Sequence, residues 1–221
     1  MAVCDDINAL MDRLREVGYE SAGGKKVIAA APTQWNDWLL PPEYLDVLDA
    51  AGAFRLADRS FQLFGVSPLN GPARDALAWN RAVWREGYGF LTANLFFFGC
   101  DAFGNQFAYD FGSPAPYPEI VFFDCESGES DPIGPSIVQF LLDNVLRWNE
   151  SFDPMDRALL GEASDRGLIP GWDEDLAFRV PVSSGGAINV ENLEILKSDD
   201  HLKSLGPVAL RVHAENEQRT P

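Results

Sequence analysis

The chain is poor in basic residues. It has 17 lysines and arginines against 34 aspartates and glutamates, which gives a formal net charge of −17. Proteins that grip nucleic acid or anionic membranes need a basic surface, so we expect neither as a partner. The same charge favours contact with a basic protein. It also fits a surface whose charge only maintains solubility.

Lysine, arginine and histidine are entirely absent between Glu86 and Leu146. The stretch is also the most strand-like part of the chain, with apolar runs at Leu95–Phe98, Gln106–Tyr109 and Ile120–Phe123. Its nine carboxylates, more than half of the formal net charge, are Glu86, Asp101, Asp110, Glu119, Asp124, Glu126, Glu129, Asp131 and Asp143. We therefore predict a sheet whose turns are acidic.

The chain also has few cysteines, and we see no signal for a leader peptide or a membrane span. The three cysteines are an odd number, so no disulfide framework is predicted and a reducing cytoplasm is the expected location. Cys100 and Cys125 end strands on either side of a third, roughly 10 Å apart, which predicts buried thiols instead of a disulfide. Residues Met1–Asp6 lack the regions of a signal peptide, and no apolar run approaches the roughly 20 residues of a membrane span.

The common motifs of catalytic and metal sites are missing as well. There is no His-x-x-x-His, Cys-x-x-Cys or Gly-x-Ser-x-Gly pattern. The two histidines, His201 and His213, are expected on the surface or at helix ends. We predict no enzyme activity, no cofactor and no bound metal. One enzymatic alternative stays open, in which Asp110 and Asp124 lie near each other at the sheet edge as a glycosidase-like carboxylate pair.

Hydrophobic periodicity and turn residues predict the other elements. A helix is capped by Asp5 or Asp6 and ended by Gly18, and a second begins at Pro41 and Pro42 and ends at Gly52. The other predicted helices are Arg74–Trp84, Pro135–Trp148, Asp156–Arg166 and one from Asp199 onward, with fraying over Glu215–Pro221. The other predicted strands are Ala53–Leu56, Ser60–Phe64, a start at Tyr88–Phe90, and Val190–Leu196.

Five segments together resemble one known family. They are Leu40–Leu48 (LPPEYLDVL), Phe61–Gly65 (FQLFG), Phe98–Asp110 (FGCDAFGNQFAYD), Ile120–Asp124 (IVFFD) and a helix containing Ser136, Phe140 and Leu141. This combination is similar to the SUKH superfamily of the Smi/Knr type, named partly for a yeast regulator of cell-wall synthesis. The resemblance covers about residues 35–148. It implies an α+β fold with a single mixed or antiparallel sheet flanked by helices, and we expect a core domain over 1–150 and a C-terminal extension over 151–221 packed on it.

The resemblance also implies a binding function. Bacterial members are similar to immunity proteins that neutralise co-encoded toxins, often nucleases. We therefore expect a cytoplasmic immunity protein that occludes a cognate toxin through its basic surface; the alternative is a regulatory or scaffold domain with no toxin. The candidate contacts are Asp101, Phe103, Asp110, Asp124, Glu126 and Glu129, with Phe103 as an anchor at an exposed hairpin tip. Each of them also fits a solvated turn.

Overall fold

The molecule is built on one large sheet. The computed structural model describes residues 2–22, 34–66, 71–114, 117–147 and 154–219. The strands are β1 Tyr19–Ser21, β2 Gln34–Trp35, β3 Trp38–Leu39, β4 Phe54–Leu56, β5 Phe61–Leu63, β6 Leu95–Asp101, β7 Gln106–Asp110, β8 Glu119–Phe123, β9 Ser130–Gly134, β10 Glu174–Phe178 and β11 Leu193–Lys197. Seven of them form the sheet in the order β1-β4-β5-β6-β7-β8-β9, and every neighbouring pair is antiparallel. The hairpins β2–β3 and β10–β11 stand apart from it.

Helices flank this sheet, which confirms the predicted α+β fold. They are α1 Ala2–Val17, α2 Pro42–Ala51, α3 Ala76–Trp79, α4 Ile137–Phe140 with a π-helical turn over Leu141–Val145, α5 Pro154–Asp165 and α6 Ser198–Arg219. Helix α2 starts at a proline because its ring suits the first helical turn. It ends at Gly52, whose φ of 72° suits a residue without a Cβ atom. Helix α1 ends before Gly18 as predicted, but it begins at Ala2, ahead of the predicted aspartate cap.

Aromatic rings fill the core on both faces of β6, whose seven residues are all buried. Phe98 contacts Tyr44 of α2 and Phe140 of α4 on one face. Phe97 contacts Trp84 and Phe123 on the other. Trp84 belongs to a 3-10 helix, Val83–Gly87, which α6 covers closely: a Cβ atom on Gly206 would lie 2.6 Å from the carbonyl carbon of Gly87.

The helix predicted over Arg74–Trp84 is much shorter in the structure. Helix α3 ends at Trp79 because Asn80 bonds to strand β6: its amide nitrogen donates to the Phe97 carbonyl at 2.7 Å and its amide oxygen accepts from the Phe97 N–H at 2.9 Å. The strand start predicted at Tyr88–Phe90 is also wrong, since 3-10 helix occupies Gly89–Thr92. These long-range bonds outweigh local helix propensity.

Residues 154–219, the C-terminal segment, contain α5, β10, β11 and α6. Their apolar side chains enclose Ala102 and Phe103 from the turn between β6 and β7, and the Leu176 N–H donates to the Ala102 carbonyl at 2.8 Å. Helix α6 continues to Arg219, so the fraying predicted from Glu215 is wrong. The predicted boundary at 150/151 lies outside the described residues, and the division into two domains stays a prediction.

Candidate partner-binding surface

Two of the predicted contact residues are buried. The carboxylate of Asp101 accepts hydrogen bonds from the backbone N–H groups of Phe103 and Asn105 and from the Asn105 side chain, each at 2.9 Å. Phe103 is stacked parallel to Phe178, with ring centroids 6.3 Å apart. The expectation of an exposed hairpin tip is therefore wrong, because the C-terminal segment covers it.

Burial changes the protonation of Asp101. Removal from water raises the pKa of its carboxyl to about 7, although the hydrogen bonds from Asn105 and Phe103 favour the charged form. Asp156 adds a like charge that also raises this pKa. Asp101 is therefore an internal group of the hairpin that titrates near neutral pH, and it offers no fixed charge to a partner.

Three predicted carboxylates come together at the turn between β8 and β9. We call this feature the acidic turn and define it as Asp124, Glu126, Glu129 and Asp131. One oxygen of Asp124 accepts from the N–H groups of Glu126 at 2.8 Å and Ser127 at 2.9 Å, which shapes the turn. Asp124 and Glu126 are half-buried, whereas Glu129 and Asp131 are exposed. The turn thus presents a compact group of negative charges at one end of the sheet.

The C-terminal segment borders the acidic turn on both sides. Glu126 accepts from the Ser183 N–H, and Glu129 accepts from the Asn216 amide at 2.7 Å. A cleft of about 480 Å³ lies between the turn and the segment, with Asp124 and Glu126 on one wall and Asp156 on the other. The exposed Asp131 and Glu129 line a second pocket, of about 500 Å³, together with Asn216 and Glu217 of α6.

Asp110 lies at the opposite end of the sheet. It ends β7 and pairs with Glu119 of β8, while Asp124 follows β8 five residues later. At about 3.3 Å per strand residue, the two aspartates are roughly 16 Å apart. The predicted pairing of Asp110 with Asp124 is therefore wrong, because glycosidase carboxylates lie within about 10 Å of each other.

A buried polar network links residues before and within the large sheet to the C-terminal segment. Asp175 on β10 accepts from Ser198 Oγ at 2.6 Å, lies 3.2 Å from His201 Nδ1 and pairs with Arg74 at 3.4 Å. Arg74 also donates to Ser198 and to Cys100 Sγ. His201 lies in the first turn of α6, which agrees with the helix-end alternative, but it is buried, so the surface alternative is wrong. Apart from Ser198 and His201, these residues are far apart in the sequence, and together they match no motif that would have predicted the network.

The network is not arranged as a catalytic triad. A nucleophilic serine must bond to a histidine that takes its proton, and the histidine in turn bonds to the carboxylate. Here Ser198 and His201 both bond to the same Asp175 carboxylate, so His201 does not activate Ser198. Burial by itself would raise the pKa of Asp175, but the His201 hydrogen bond and the Arg74 charge outweigh it and hold the pKa below its ordinary value.

A family profile matches the part of the chain that forms most of the large sheet. The profile of the SMI1 / KNR4 family (SUKH-1) matches residues 25–143, more than half of the chain. The chain belongs to this family. The SUKH family includes immunity proteins, its members interact in general with toxin partners, and they are generally non-catalytic. The match includes the whole acidic turn with both of its flanking strands, β8 and β9, and excludes the C-terminal segment.

Other comparisons add little. A solved structure described as the crystal structure of Atu4351 from Agrobacterium tumefaciens is 13% identical, with a TM-score of 0.49, over 76% of this SUKH chain and 75% of that chain. No curated protein matches the chain.

Three further features bear on chemistry and location. Cys100 and Cys125 are free and buried, which confirms their prediction as buried thiols. In the described ranges, no three His, Cys, Asp or Glu side chains are grouped as a metal site. Among the helices of those same ranges, none is long and apolar enough to cross a membrane.

Proposed function

We propose that this SUKH protein is a cytoplasmic immunity protein that binds a basic cognate toxin and neutralises it by occlusion. The observation that carries the proposal is the acidic turn. Its four carboxylates lie at one end of the sheet, within residues 86–146, a stretch that contains no basic residue. Family membership supports the same function, since the family includes immunity proteins.

The proposed contact uses charge and shape, with no chemical step in this chain. Negative groups on the acidic turn attract a basic surface from a distance, which speeds association and makes it sensitive to salt. Glu129 and Asp131 are exposed and make first contact; Asp124 and Glu126 line the adjoining cleft and receive cationic side chains there. Asp110 lies about 16 Å from Asp124 and is not part of the acidic turn, and Asp101 and Phe103 are covered.

Survival of a host cell tests the proposal. We would co-express the chain with each toxic gene product from its own genomic neighbourhood and expect one of them to be neutralised. The variant Glu126→Gln/Glu129→Gln/Asp131→Asn should bind that toxin on the order of tenfold more weakly at low salt, because each exposed charge contact contributes about 0.2–1 kcal/mol.

A matched control separates the effect of charge at the acidic turn from the effect of the protein's total charge. Asp37→Asn/Asp46→Asn/Asp49→Asn removes the same three charges from exposed sites elsewhere and should leave affinity nearly unchanged. Equal weakening by both triple variants would refute the assignment of the turn. Failure of every neighbouring toxin to be neutralised would refute immunity and favour the regulatory or scaffold alternative.

A further inference from the structure

An open apolar groove lies at the other end of the sheet, away from the acidic turn. It has a volume of about 730 Å³ and runs between the start of α2, the end of β7 and the residues just before β8. Its rim carries two large apolar side chains that are mostly in water, Leu39 at 71% exposure and Tyr117 at 75%. Exposed apolar rims on a concave surface of this size are typical of binding sites.

The lining excludes anionic ligands. Pro41, Pro42, Pro118 and Pro135 form much of the wall, and proline has no backbone N–H to donate. No residue that lines the groove is basic, and Glu43 is its acidic side chain. Among the described lining residues, an anion would find no positive charge, whereas a cationic group would find a carboxylate.

Glu43 is held in a fixed position. Its two carboxylate oxygens accept from Ser136 Oγ at 2.9 Å and from the Ile137 N–H at 2.8 Å. Each oxygen keeps a second lone pair for a further donor. The charge is therefore preorganised at the groove and does not have to be ordered when a ligand arrives.

Tyr109 supplies a second polar group to this lining. Its hydroxyl is buried and has no hydrogen-bond partner among the residues that the structure describes. Burial, with smaller effects from Tyr44 and Glu43, raises the pKa of Tyr109 well above its ordinary value, so the group is a neutral O–H donor. Because this hydroxyl has almost no exposed surface, a ligand in the groove does not reach it, and Glu43 is the charged group that a ligand meets.

We propose that this groove binds an extended apolar segment of a partner protein that carries a basic side chain. The apolar side chains pack against Leu39 and Tyr117, and the basic group pairs with Glu43. The proposal does not depend on toxin neutralisation, because the groove and the acidic turn are at opposite ends of the sheet.

Selection from a displayed library of random dodecapeptides tests the groove without any toxin. The wild-type protein should enrich apolar sequences that contain arginine or lysine. Titration calorimetry of one enriched synthetic peptide should then show at least tenfold weaker binding to Leu39→Ser/Tyr117→Ser. The matched control Val83→Ser/Ile169→Ser alters two exposed apolar residues outside the groove and should bind like wild type.

Tyr109→Phe separates binding from folding. This variant loses only the unpaired hydroxyl, so its urea midpoint should be equal to or above that of wild type. Its peptide affinity should equal that of wild type, because a ligand in the groove does not reach this hydroxyl. A fall in affinity would contradict that expectation, and a lower urea midpoint would show that the hydroxyl has a partner within the fold.

Three results would overturn the groove proposal itself. They are enrichment of acidic peptides, enrichment that survives Leu39→Ser/Tyr117→Ser, and a concentration-dependent dimer that this variant abolishes, which would assign the groove to a second copy. Sedimentation velocity detects the last of these. None of them bears on the toxin test, and a failed toxin test leaves the peptide result standing.

Discussion

Asp175 of the C-terminal segment pairs with Arg74, which precedes α3. We expect Asp175→Asn to be among the most destabilising single changes in the chain. The wild-type carboxylate is 1% exposed and faces Arg74, whose side chain is 7% exposed. The amide has nearly the same shape but no charge. It therefore leaves the Arg74 guanidinium buried without a counter-ion.

The expected cost follows from that unpaired charge. Removing one partner of a buried ion pair costs about 3–5 kcal/mol. Arg74 keeps its cation–π contacts with Phe64 and Trp79, whose ring centroids lie 5.1 and 4.5 Å from the guanidinium carbon, so we expect the lower end, about 3 kcal/mol. The total free energy of unfolding of a domain is only about 5–15 kcal/mol, so a loss of this size should shift the unfolding curve measurably.

Urea unfolding followed by tryptophan fluorescence measures the loss. A double-mutant cycle with Arg74→Met isolates the pair, because the double variant no longer contains an unpaired charge. It should be more stable than Asp175→Asn alone, with a coupling energy on the order of 2 kcal/mol. A loss below about 1 kcal/mol for Asp175→Asn, or strictly additive losses in the double variant, would refute the reasoning.

The pH dependence gives an independent check on the same residue. Because the folded pKa of Asp175 lies below its ordinary value, the unfolded chain binds the proton more readily than the folded one. The stabilisation is therefore complete above the unfolded pKa of about 3.9 and is lost as the pH falls through the lower, folded pKa. Wild type and Asp175→Asn should converge in stability at acidic pH; a constant difference would contradict this.

Three further predictions concern single groups. The carboxyl carbon of Asp101 should titrate near pH 7 by NMR, and its contribution to stability should decline between about pH 4 and 7, where the folded state holds a proton that the unfolded chain releases; a midpoint below 5 would contradict this. Native Cys100 and Cys125 should resist iodoacetamide at pH 8, because burial raises both pKa values; rapid labelling of either, seen by peptide mass spectrometry, would show access. Glu43→Ala should lower the urea-unfolding free energy by about 1–3 kcal/mol, since it leaves the Ile137 N–H unpaired, and an unchanged midpoint would argue against that bond.

The predicted contact residues show where local reasoning succeeds. Asp124, Glu126 and Glu129 were predicted together at the end of one strand, and the structure places them in the turn that leads from β8 into β9, a strand that was not predicted. Their role in binding stays a proposal. A turn and its adjacent strands lie within a few residues of each other, so composition and spacing determine their proximity.

Long-range packing accounts for the errors. Asp101 and Phe103 belong to a polar hairpin that is typical of exposed tips, yet the C-terminal segment covers both. His201 is buried for the same reason, because it faces Asp175 on another element of that segment. No local pattern encodes which surface a segment more than 50 residues away will cover.

The sequence by itself determined three strands of the acidic stretch, β6, β7 and β8, the ends of α2 at Pro42 and Gly52, the buried thiols and the family, because these depend on residue types a few positions apart. It did not predict β9, the fourth strand of that stretch. Only the tertiary structure decided that a hairpin tip is buried, that Arg74 and Asp175 meet, and that Tyr109 and Glu43 line one open groove. The physical reason is that burial and pairing are properties of contacts between distant segments. They arise when the chain closes on itself and water is excluded.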